Sequence, residues 1–286
     1  MSRKSYRVKF AGGAGFELAG IIDRPDTTAA LPVLVLSHCF TCNKDLKAIV
    51  RISRALAQRG IAVLRYDMTG LGGSSGDFSQ TNFSTNVADL KAAIAFADSE
   101  VGDVHALMGH SFGGAASLAV ASECSSHLSP DSSLAAEKKL GCVIALAAPS
   151  DTSHLASLLL RMNPAIEKDG EGEVSIGGYR WQIDSQMVDD FRRHRLPDLI
   201  ANIRIPTMVM HSPVDQTVGF DHALRIMSLI NQTENSETEN SDPALSKPLC
   251  SLVSLDGADH LLSQHAHDID FVSDLTAAMV HRHCRP

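Results

Sequence analysis

At 286 residues, with 44% hydrophobic and 20% charged residues, the chain is long enough for one large domain and has the composition of a soluble globular protein. Its net charge of −8, with no block rich in Lys or Arg, argues against a nucleic-acid-binding protein, which would present a basic patch. No stretch approaches the roughly 18 apolar residues of a membrane span. Because residues 1–10 also lack the apolar segment of a secretory signal, we expect a cytoplasmic protein whose six cysteines are reduced.

The chain opens with a predicted β-hairpin, Tyr6–Ile22, that turns at Gly12–Gly15. Apolar runs of strand length then recur, each followed by a segment with helical periodicity. These runs are Val33–Ser37, Ile61–Tyr66, Val104–Met108, Val143–Ala147, Thr207–Met210 and Leu249–Leu255. Strands that are apolar on both faces and alternate with helices predict an α/β fold, with a mostly parallel central sheet and helices on both faces.

Two of the intervening helices are recognisable from their apolar faces. The first covers residues 46–57 and ends before Gly60, which suits the left-handed position that follows a helix. The second covers residues 87–97, with Ser84 or Asn86 as its predicted N-cap.

Two segments interrupt the alternation of strands and helices. Residues 150–204 separate two predicted strands by more than a crossover needs, and they contain two helical patterns and a hairpin that turns at Gly177-Gly178. We expect this insertion to form a small cap over the carboxyl ends of the strands, where ligands bind in open α/β sheets. Residues 231–248 are polar and are expected to form a mobile surface loop. The core then comprises residues 1–149 and 205–286.

The pentapeptide Gly109–Gly113 places Ser111 between the predicted strand Val104–Met108 and a helix of small residues, Ala115–Ala121. A serine on such a tight strand-to-helix turn projects its hydroxyl above the sheet, and the flanking glycines let neighbouring backbone approach. The helix that follows places amide N–H groups where an oxyanion develops. The placement predicts that Ser111 is a nucleophile, whereas the pentapeptide alone would be a weak signal.

A nucleophilic serine needs a base, and the base needs a carboxylate that fixes its tautomer. His260 follows the last predicted strand through a turn-forming run, and Asp215 lies just past the strand Thr207–Met210. Both positions come after Ser111 in the chain order serine, acid, histidine. Asp259 and Asp256 are rival acids.

The loop after the first core strand contains Ser37–Thr41 and is placed to supply an oxyanion-binding amide. We predict Phe40 and Phe112 as the two backbone donors. The same loop carries the C-x-x-C pair Cys39 and Cys42. Without a second ligand pair the spacing does not predict a zinc site. A redox dithiol remains an alternative, although we expect the two thiols to pack beneath the loop.

The ordered segments around these residues resemble the α/β-hydrolase superfamily across essentially the whole chain. The segments are Ser37–Phe40, Asp67–Ser74, Gly109–Gly113, Asp215 and Gly257–His260. More narrowly, His38–Cys42 together with Thr69–Ser74 is similar to the bacterial hydrolases often fused to an OsmC-like peroxide-handling domain.

The resemblance implies an α/β-hydrolase fold with an N-terminal β-hairpin, and a bacterial cytoplasmic ester or amide hydrolase. It carries over Ser111, Asp215 and His260 as the catalytic triad, with Phe40 and Phe112 as the amide donors. The chain departs from the superfamily at Cys39, where glycine is usual. Pro286 ends the sequence without room for an OsmC-like domain, so we expect any such link to be with a separate protein.

The leading hypothesis is a carboxylesterase that acts on a small-molecule acyl ester through an acyl-enzyme, with no metal and no organic cofactor. Leu158, Met162 and Trp181 in the insertion are predicted to line the substrate pocket, although they could equally form the core of the cap. The alternatives are a thioesterase or peptidase with the same triad, a thiol redox protein that uses Cys39 and Cys42, and a non-catalytic binding module.

Overall fold

The computed structural model describes residues 2–126, 140–232 and 250–284. A central eight-stranded sheet runs in the order β1-β2-β4-β3-β5-β6-β9-β10. Its strands are β1 (Arg3–Ala11), β2 (Glu17–Pro25), β3 (Val33–Ser37), β4 (Ala62–Tyr66), β5 (Val104–His110), β6 (Cys142–Leu146), β9 (Thr207–His211) and β10 (Cys250–Ser254). The six predicted apolar runs therefore coincide with the six parallel strands from β3 to β10. The α/β-hydrolase fold expected from the resemblance is confirmed.

Only the N-terminal end of this sheet is antiparallel. β1 pairs with β2 as the predicted hairpin, and β2 pairs antiparallel with β4, whereas every other pairing in the sheet is parallel. Parallel strands end at one edge of a sheet, so the loops that follow β3, β5, β9 and β10 meet there. That edge carries the predicted site.

Side-chain alternation along the strands divides the core into two layers. Val33 and Val35 of β3 point to the layer that contains α2 (Phe83–Glu100), α3 (Phe112–Ser126) and α8 (Phe220–Gln232). Leu34 and Leu36 point to the layer formed by α1 (Lys47–Gln58) and α9 (Ala266–His283). A strand buried on both faces is consequently apolar at every position, which is the pattern that the sequence shows.

The helix boundaries follow local signals, with one correction. Gly60 has φ of 88° just after α1, as predicted for a residue that ends a helix. The predicted caps of α2 are wrong: its N-cap is Asn82, whose side chain accepts the Thr85 amide while the Thr85 hydroxyl accepts the Asn82 amide. Ser84 instead bonds to the Asp190 carboxylate, so its side chain is not available for capping.

The insertion 150–204 contains six elements. They are α4 (Ser153–Met162), α5 (Ala165–Lys168), β7 (Glu171–Ile176), β8 (Tyr179–Asp184), α6 (Ser185–Arg193) and α7 (Leu196–Ala201). The two predicted helices correspond to α4 and α6, and β7 and β8 pair as an antiparallel hairpin. Leu159, Met187 and Phe191 are fully buried in the same core layer as α3, so the insertion packs on the body of the molecule. That the insertion forms a separate cap stays a prediction.

Two further features bear on the sequence-based expectations. Residues 233–248 of the predicted mobile loop lie outside the described residues, and residues 231–232 end α8. Within the described ranges, no helix combines the length and the apolarity that crossing a membrane would require.

Candidate active site

Ser111 occupies the turn between β5 and α3 in a strained backbone conformation. Its φ of 54° lies in the left-handed region, which non-glycine residues rarely adopt, and its amide donates to the Leu146 carbonyl at 2.8 Å. A Cβ atom on Gly109 would lie 2.1 Å from the Gly113 oxygen, and one on Gly113 would lie 2.5 Å from the His38 oxygen. Only glycine fits at these two positions, which explains why the turn needs the pattern seen in the sequence.

The imidazole of His260 reaches Ser111 from the loop after β10. Its Nε2 lies 3.1 Å from Ser111 Oγ, and its Nδ1 lies 2.7 Å from Asp215 Oδ2. Because an ionised carboxylate only accepts hydrogen bonds, Nδ1 carries the hydrogen and Nε2 accepts the serine hydroxyl proton. This tautomer is the one in which an imidazole can act as a base toward a serine.

Asp215 is buried and fully bonded. Its Oδ1 accepts the amides of Thr217 at 2.8 Å and Val218 at 3.0 Å, and its side chain is completely inaccessible to solvent. Burial alone would raise the pKa of this carboxyl, but the hydrogen bond from His260, the charge of His260 and the two amides outweigh burial and hold the pKa below its usual value. Asp215 is therefore ionised at neutral pH, as an orienting carboxylate must be.

The rival acids point elsewhere. The Asp259 carboxylate accepts the amides of Ser263 at 2.7 Å and Gln264 at 3.0 Å, and the Ser263 hydroxyl at 2.8 Å. It therefore holds the loop that carries His260 instead of contacting the imidazole. Asp256 is exposed at the turn that precedes this loop.

His110 is a second buried histidine at this site. Its Nε2 lies 2.7 Å from the His260 carbonyl oxygen, and because that oxygen only accepts, Nε2 carries the hydrogen. Desolvation by burial and, to a smaller extent, the charge of nearby His260 together lower the pKa of His110 to about 3. His110 thus stays neutral and ties the His260 loop to the residue before Ser111. This contact was not predicted from the sequence, where its only signal is the position of His110 beside the nucleophile.

Phe40 and Phe112, the predicted oxyanion donors, both line the cavity that contains Ser111. Phe112 is the first residue of α3, and Phe40 follows β3. Their rings lie 5.4 Å apart, and the Phe40 ring also lies 5.3 Å from that of Phe78 and 6.1 Å from that of Phe191. This aromatic cluster anchors the Phe40 side chain.

His38 stabilises the loop that carries Phe40 through two hydrogen bonds to backbone groups. Its Nε2 accepts the Met68 amide at 3.2 Å, so the hydrogen lies on Nδ1, which donates to the Cys39 carbonyl at 2.8 Å. Burial lowers the pKa of His38 and favours the neutral ring that this pair of bonds requires.

Cys39 and Cys42 form a disulfide, so the expectation that all six cysteines are reduced is wrong. The physical reason is local: Thr41 has φ of 58°, and the Cys42 amide donates to the Cys39 carbonyl at 3.2 Å. This tight turn brings the two Cα atoms to 5.4 Å, which is a normal disulfide separation. The pair therefore does not simply pack as small side chains. Cys124, Cys142, Cys250 and Cys284 are not in disulfides.

A cavity of about 780 Å³ opens above Ser111 and His260. One wall is the loop 39–47, and the other is formed by α4 and by the turn between β7 and β8. Leu158 and Met162 line it, as predicted, and so does the neighbouring Leu155. Ile176 and Tyr179, which also line it, were not among the predicted contacts.

Trp181 does not line this cavity, contrary to the prediction. Its ring lies 4.8 Å from that of Phe78, and its Nε1–H donates to the Ile176 carbonyl at 3.4 Å. An indole gains from an aromatic neighbour and from a partner for its N–H, and the position of the half-buried Trp181 provides both. Trp181 therefore belongs to the packing of the β7–β8 hairpin. In the described part of the chain, no three His, Cys, Asp or Glu side chains are grouped so that they could hold a metal ion.

The alpha/beta hydrolase family model matches residues 34–274. The structure is similar to the esterase domain of a protein from Rhodothermus marinus, with 34% sequence identity over 99% of both chains and a TM-score of 0.69. No curated protein matches the sequence significantly.

More distant solved structures share the fold alone. Est1E from Butyrivibrio proteoclasticus, solved with ferulic acid bound, is 17% identical over 96% of this chain and 99% of that chain, with a TM-score of 0.72. The mouse alpha/beta hydrolase domain-containing protein 10 is 16% identical over 97% of this chain and 99% of that chain, with a TM-score of 0.70. Since the family model covers most of the sequence and the Rhodothermus marinus relative spans its length, the chain belongs to the alpha/beta hydrolase family and is an enzyme.

Proposed function

We propose that the protein hydrolyses carboxylic esters through Ser111, His260 and Asp215 and a covalent acyl-enzyme. The observation that carries this proposal is the continuous hydrogen-bonded series from Ser111 Oγ through His260 to Asp215, with separations of 3.1 and 2.7 Å, at the base of a cavity. The strained left-handed backbone of Ser111 supports the same role, because it is typical of a nucleophile elbow.

The proposed reaction has two stages. Ser111 Oγ attacks the ester carbonyl carbon while its proton passes to His260 Nε2, and the carbonyl oxygen becomes an oxyanion that accepts the Phe40 and Phe112 amides. The bond to the alcohol oxygen then breaks, and His260 returns the proton to the leaving alcohol. Water repeats the sequence on the acyl-enzyme and releases the carboxylic acid, with no cofactor required.

The cavity supports a small, largely apolar substrate. Leu158 and Met162 are proposed to contact its apolar part, and the cavity of about 780 Å³ lies in the usual range for small-molecule sites. The similarity to the Rhodothermus marinus esterase domain supports ester substrates over the thioesters and peptides that the same residues could cleave. A cytoplasmic location and a link to an OsmC-like protein stay predictions.

The test combines active-site labelling with a substrate series. We expect a fluorophosphonate probe to label Ser111 in the wild type and to leave the Ser111→Ala variant unlabelled. A chromogenic ester series of rising acyl length, with a matched thioester and anilide, then measures kcat/KM for each bond type. Labelling of the folded wild type at another residue, or ester hydrolysis retained by Ser111→Ala, would contradict the proposal. A higher kcat/KM for the thioester or anilide than for the ester would reassign the substrate class.

A further inference from the structure

The Cys39–Cys42 disulfide forms part of the wall of the cavity that contains Ser111. We propose that these two cysteines are a reversible thiol–disulfide site, reached by low-molecular-weight thiols through the substrate cavity, and that the disulfide form is the faster catalyst of acyl transfer. The effect on acyl transfer rests on the proposed function of Ser111, whereas the thiol chemistry does not.

The position of the disulfide couples it to a proposed oxyanion donor. The Cys39 carbonyl belongs to the same peptide group as the Phe40 N–H, and in a trans peptide the two point in opposite directions. This carbonyl accepts the Cys42 amide at 3.2 Å and His38 Nδ1 at 2.8 Å. The orientation of the Phe40 N–H is consequently set by His38 together with the turn that the disulfide closes.

Few described contacts other than the disulfide stabilise the turn from Cys39 to Cys42. Thr41, a β-branched residue, has φ of 58°, a conformation that such residues adopt only under constraint. Apart from the disulfide, the described hydrogen bonds that hold the turn are those of the Cys42 amide and His38 Nδ1 to the Cys39 carbonyl, and that of the Thr41 hydroxyl to the Phe40 carbonyl. Once the disulfide opens, we expect Thr41 to relax toward a right-handed or extended conformation and the Cys42 amide to leave the Cys39 carbonyl. The peptide group that contains the Phe40 N–H would then be held through His38 alone and could rotate.

The expected change is local because the Phe40 ring is anchored separately. Its packing against Phe78, Phe112 and Phe191 does not involve the sulfur atoms. Reduction should therefore misalign a donor without unfolding the loop, and it should lower kcat more than it raises KM.

Burial determines which sulfur a thiol attacks. Both cysteines line the cavity, but Cys42 is only half-buried, whereas Cys39 is 3% exposed. A thiolate attacks Cys42 Sγ, the Sγ–Sγ bond breaks, and Cys39 leaves as a thiolate that takes up a proton. A second thiolate attacks the outer sulfur of the mixed disulfide, Cys42 leaves as a thiolate that takes up a proton, and the small-molecule disulfide is released. Two thiols thus lose two electrons and the protein disulfide gains them, and the small-molecule disulfide reverses the reaction.

The other cysteines provide an internal control. Cys142 and Cys284 lie with their sulfur atoms 3.7 Å apart in the core layer formed by α1 and α9, away from the cavity. A Cys284→Ser variant removes this pair and should leave the response to thiols unchanged.

The experiment compares the same wild-type preparation before and after treatment with dithiothreitol, which is removed before assay. Alkylation and peptide mass spectrometry should find Cys39 and Cys42 unmodified before treatment and both alkylated after it. We expect kcat for a chromogenic ester, and the rate of Ser111 labelling by the fluorophosphonate, to fall about 10- to 100-fold on reduction. Oxidised glutathione should restore both rates, and the Cys42→Ser variant should have the low rate with or without dithiothreitol.

Two results would overturn the proposal. One is alkylation of both cysteines in protein kept under oxidising conditions, which would mean that they do not pair. The other is an equal rate of Ser111 labelling before and after verified reduction, which needs no variant to interpret. Failure of the probe to label Ser111 in either state would instead contradict the proposed function, and the alkylation result would still decide the thiol chemistry.

Discussion

The loop that carries His260 and the loop that carries Phe40 both reach the cavity above Ser111, but they are held in different ways. Hydrogen bonds hold the His260 loop: the Asp259 carboxylate accepts amides from within the loop, and His110 donates to the His260 carbonyl. A covalent bond between Cys39 and Cys42 closes the Phe40 loop. The Asp259 contacts of the first loop should therefore respond to protons and the disulfide of the second loop to thiols, so that the two loops can be perturbed separately.

The largest effect is expected from removing the carboxylate that orients His260. Asp215→Asn would leave Nδ1 of His260 without a charged acceptor and favour the wrong tautomer, so we expect kcat for a chromogenic ester to fall on the order of 10⁴-fold. Asp259→Asn, the matched change in the neighbouring carboxylate, should lower kcat less than about tenfold, because Asp259 bonds to the loop and not to the imidazole. Equal losses in the two variants, with native circular dichroism, would reverse the assignment of the acid.

A smaller effect on kcat is expected when the hydrogen bond between His110 and the His260 carbonyl is removed. Losing this hydrogen bond costs about 1–2 kcal/mol. If the bond serves to position His260, His110→Ala should lower kcat roughly tenfold and leave KM nearly unchanged. Glutamine offers an N–H donor at comparable reach, so His110→Gln should recover part of the rate. A purely structural role for His110 would lower the melting temperature of both variants while leaving kcat at low temperature unaffected.

Much of this arrangement could be predicted from the sequence because the relevant signals are local. A strand buried on both faces must be apolar at every position, so β3, β5 and β6 were visible as runs. The elbow needs glycine at 109 and 113 for steric reasons, which leaves a readable pattern around Ser111. The order of loops along a parallel sheet then indicated Asp215 and His260.

The features that sequence reasoning missed depend on contacts between distant segments. Trp181 packs on Phe78, some hundred residues away, and nothing in the hairpin sequence marks that partner. Ser84 is a reasonable N-cap by its sequence position, but in the structure its side chain bonds to Asp190, which belongs to the insertion. The Cys39–Cys42 pair is a different case, because the spacing was visible, but the left-handed turn at Thr41 that joins the sulfur atoms was not.

A moderate effect of pH on stability should be traceable to His110. In the unfolded chain its pKa is near 6.5, whereas in the folded protein burial lowers the pKa to about 3. Between these values the unfolded state binds one more proton, so the stabilisation is complete above 6.5 and is lost as the pH falls toward 3. Each pH unit in that window removes up to about 1.4 kcal/mol from the free energy of unfolding.

The measurement is urea unfolding of the wild type and His110→Gln between about pH 7 and 5. His38 and His211 also have lowered pKa values and contribute a slope of the same sign in both proteins. The free energy of unfolding should therefore depend on pH more steeply in the wild type than in His110→Gln. The difference between the two slopes should approach the value expected for the uptake of one proton on unfolding. Identical slopes would mean that His110 is not held neutral by burial.

The smallest expected effect distinguishes the two loops directly. Hydrogen bonds from its own loop lower the pKa of Asp259 against the opposing effect of partial burial. The loop contacts of Asp259 are therefore complete above its ordinary pKa of 3.8 and are lost as the pH falls through the lower folded value. After correction for intrinsic exchange, protection of the Ser263 and Gln264 amides should decrease over that acidic range, while protection of the Cys42 amide should not. Asp259→Asn, which cannot ionise, should abolish the pH dependence at Ser263 and Gln264. If the Cys42 amide lost protection in parallel in the wild type, the two loops would be one cooperative unit, and their separate sensitivity to protons and thiols would be wrong.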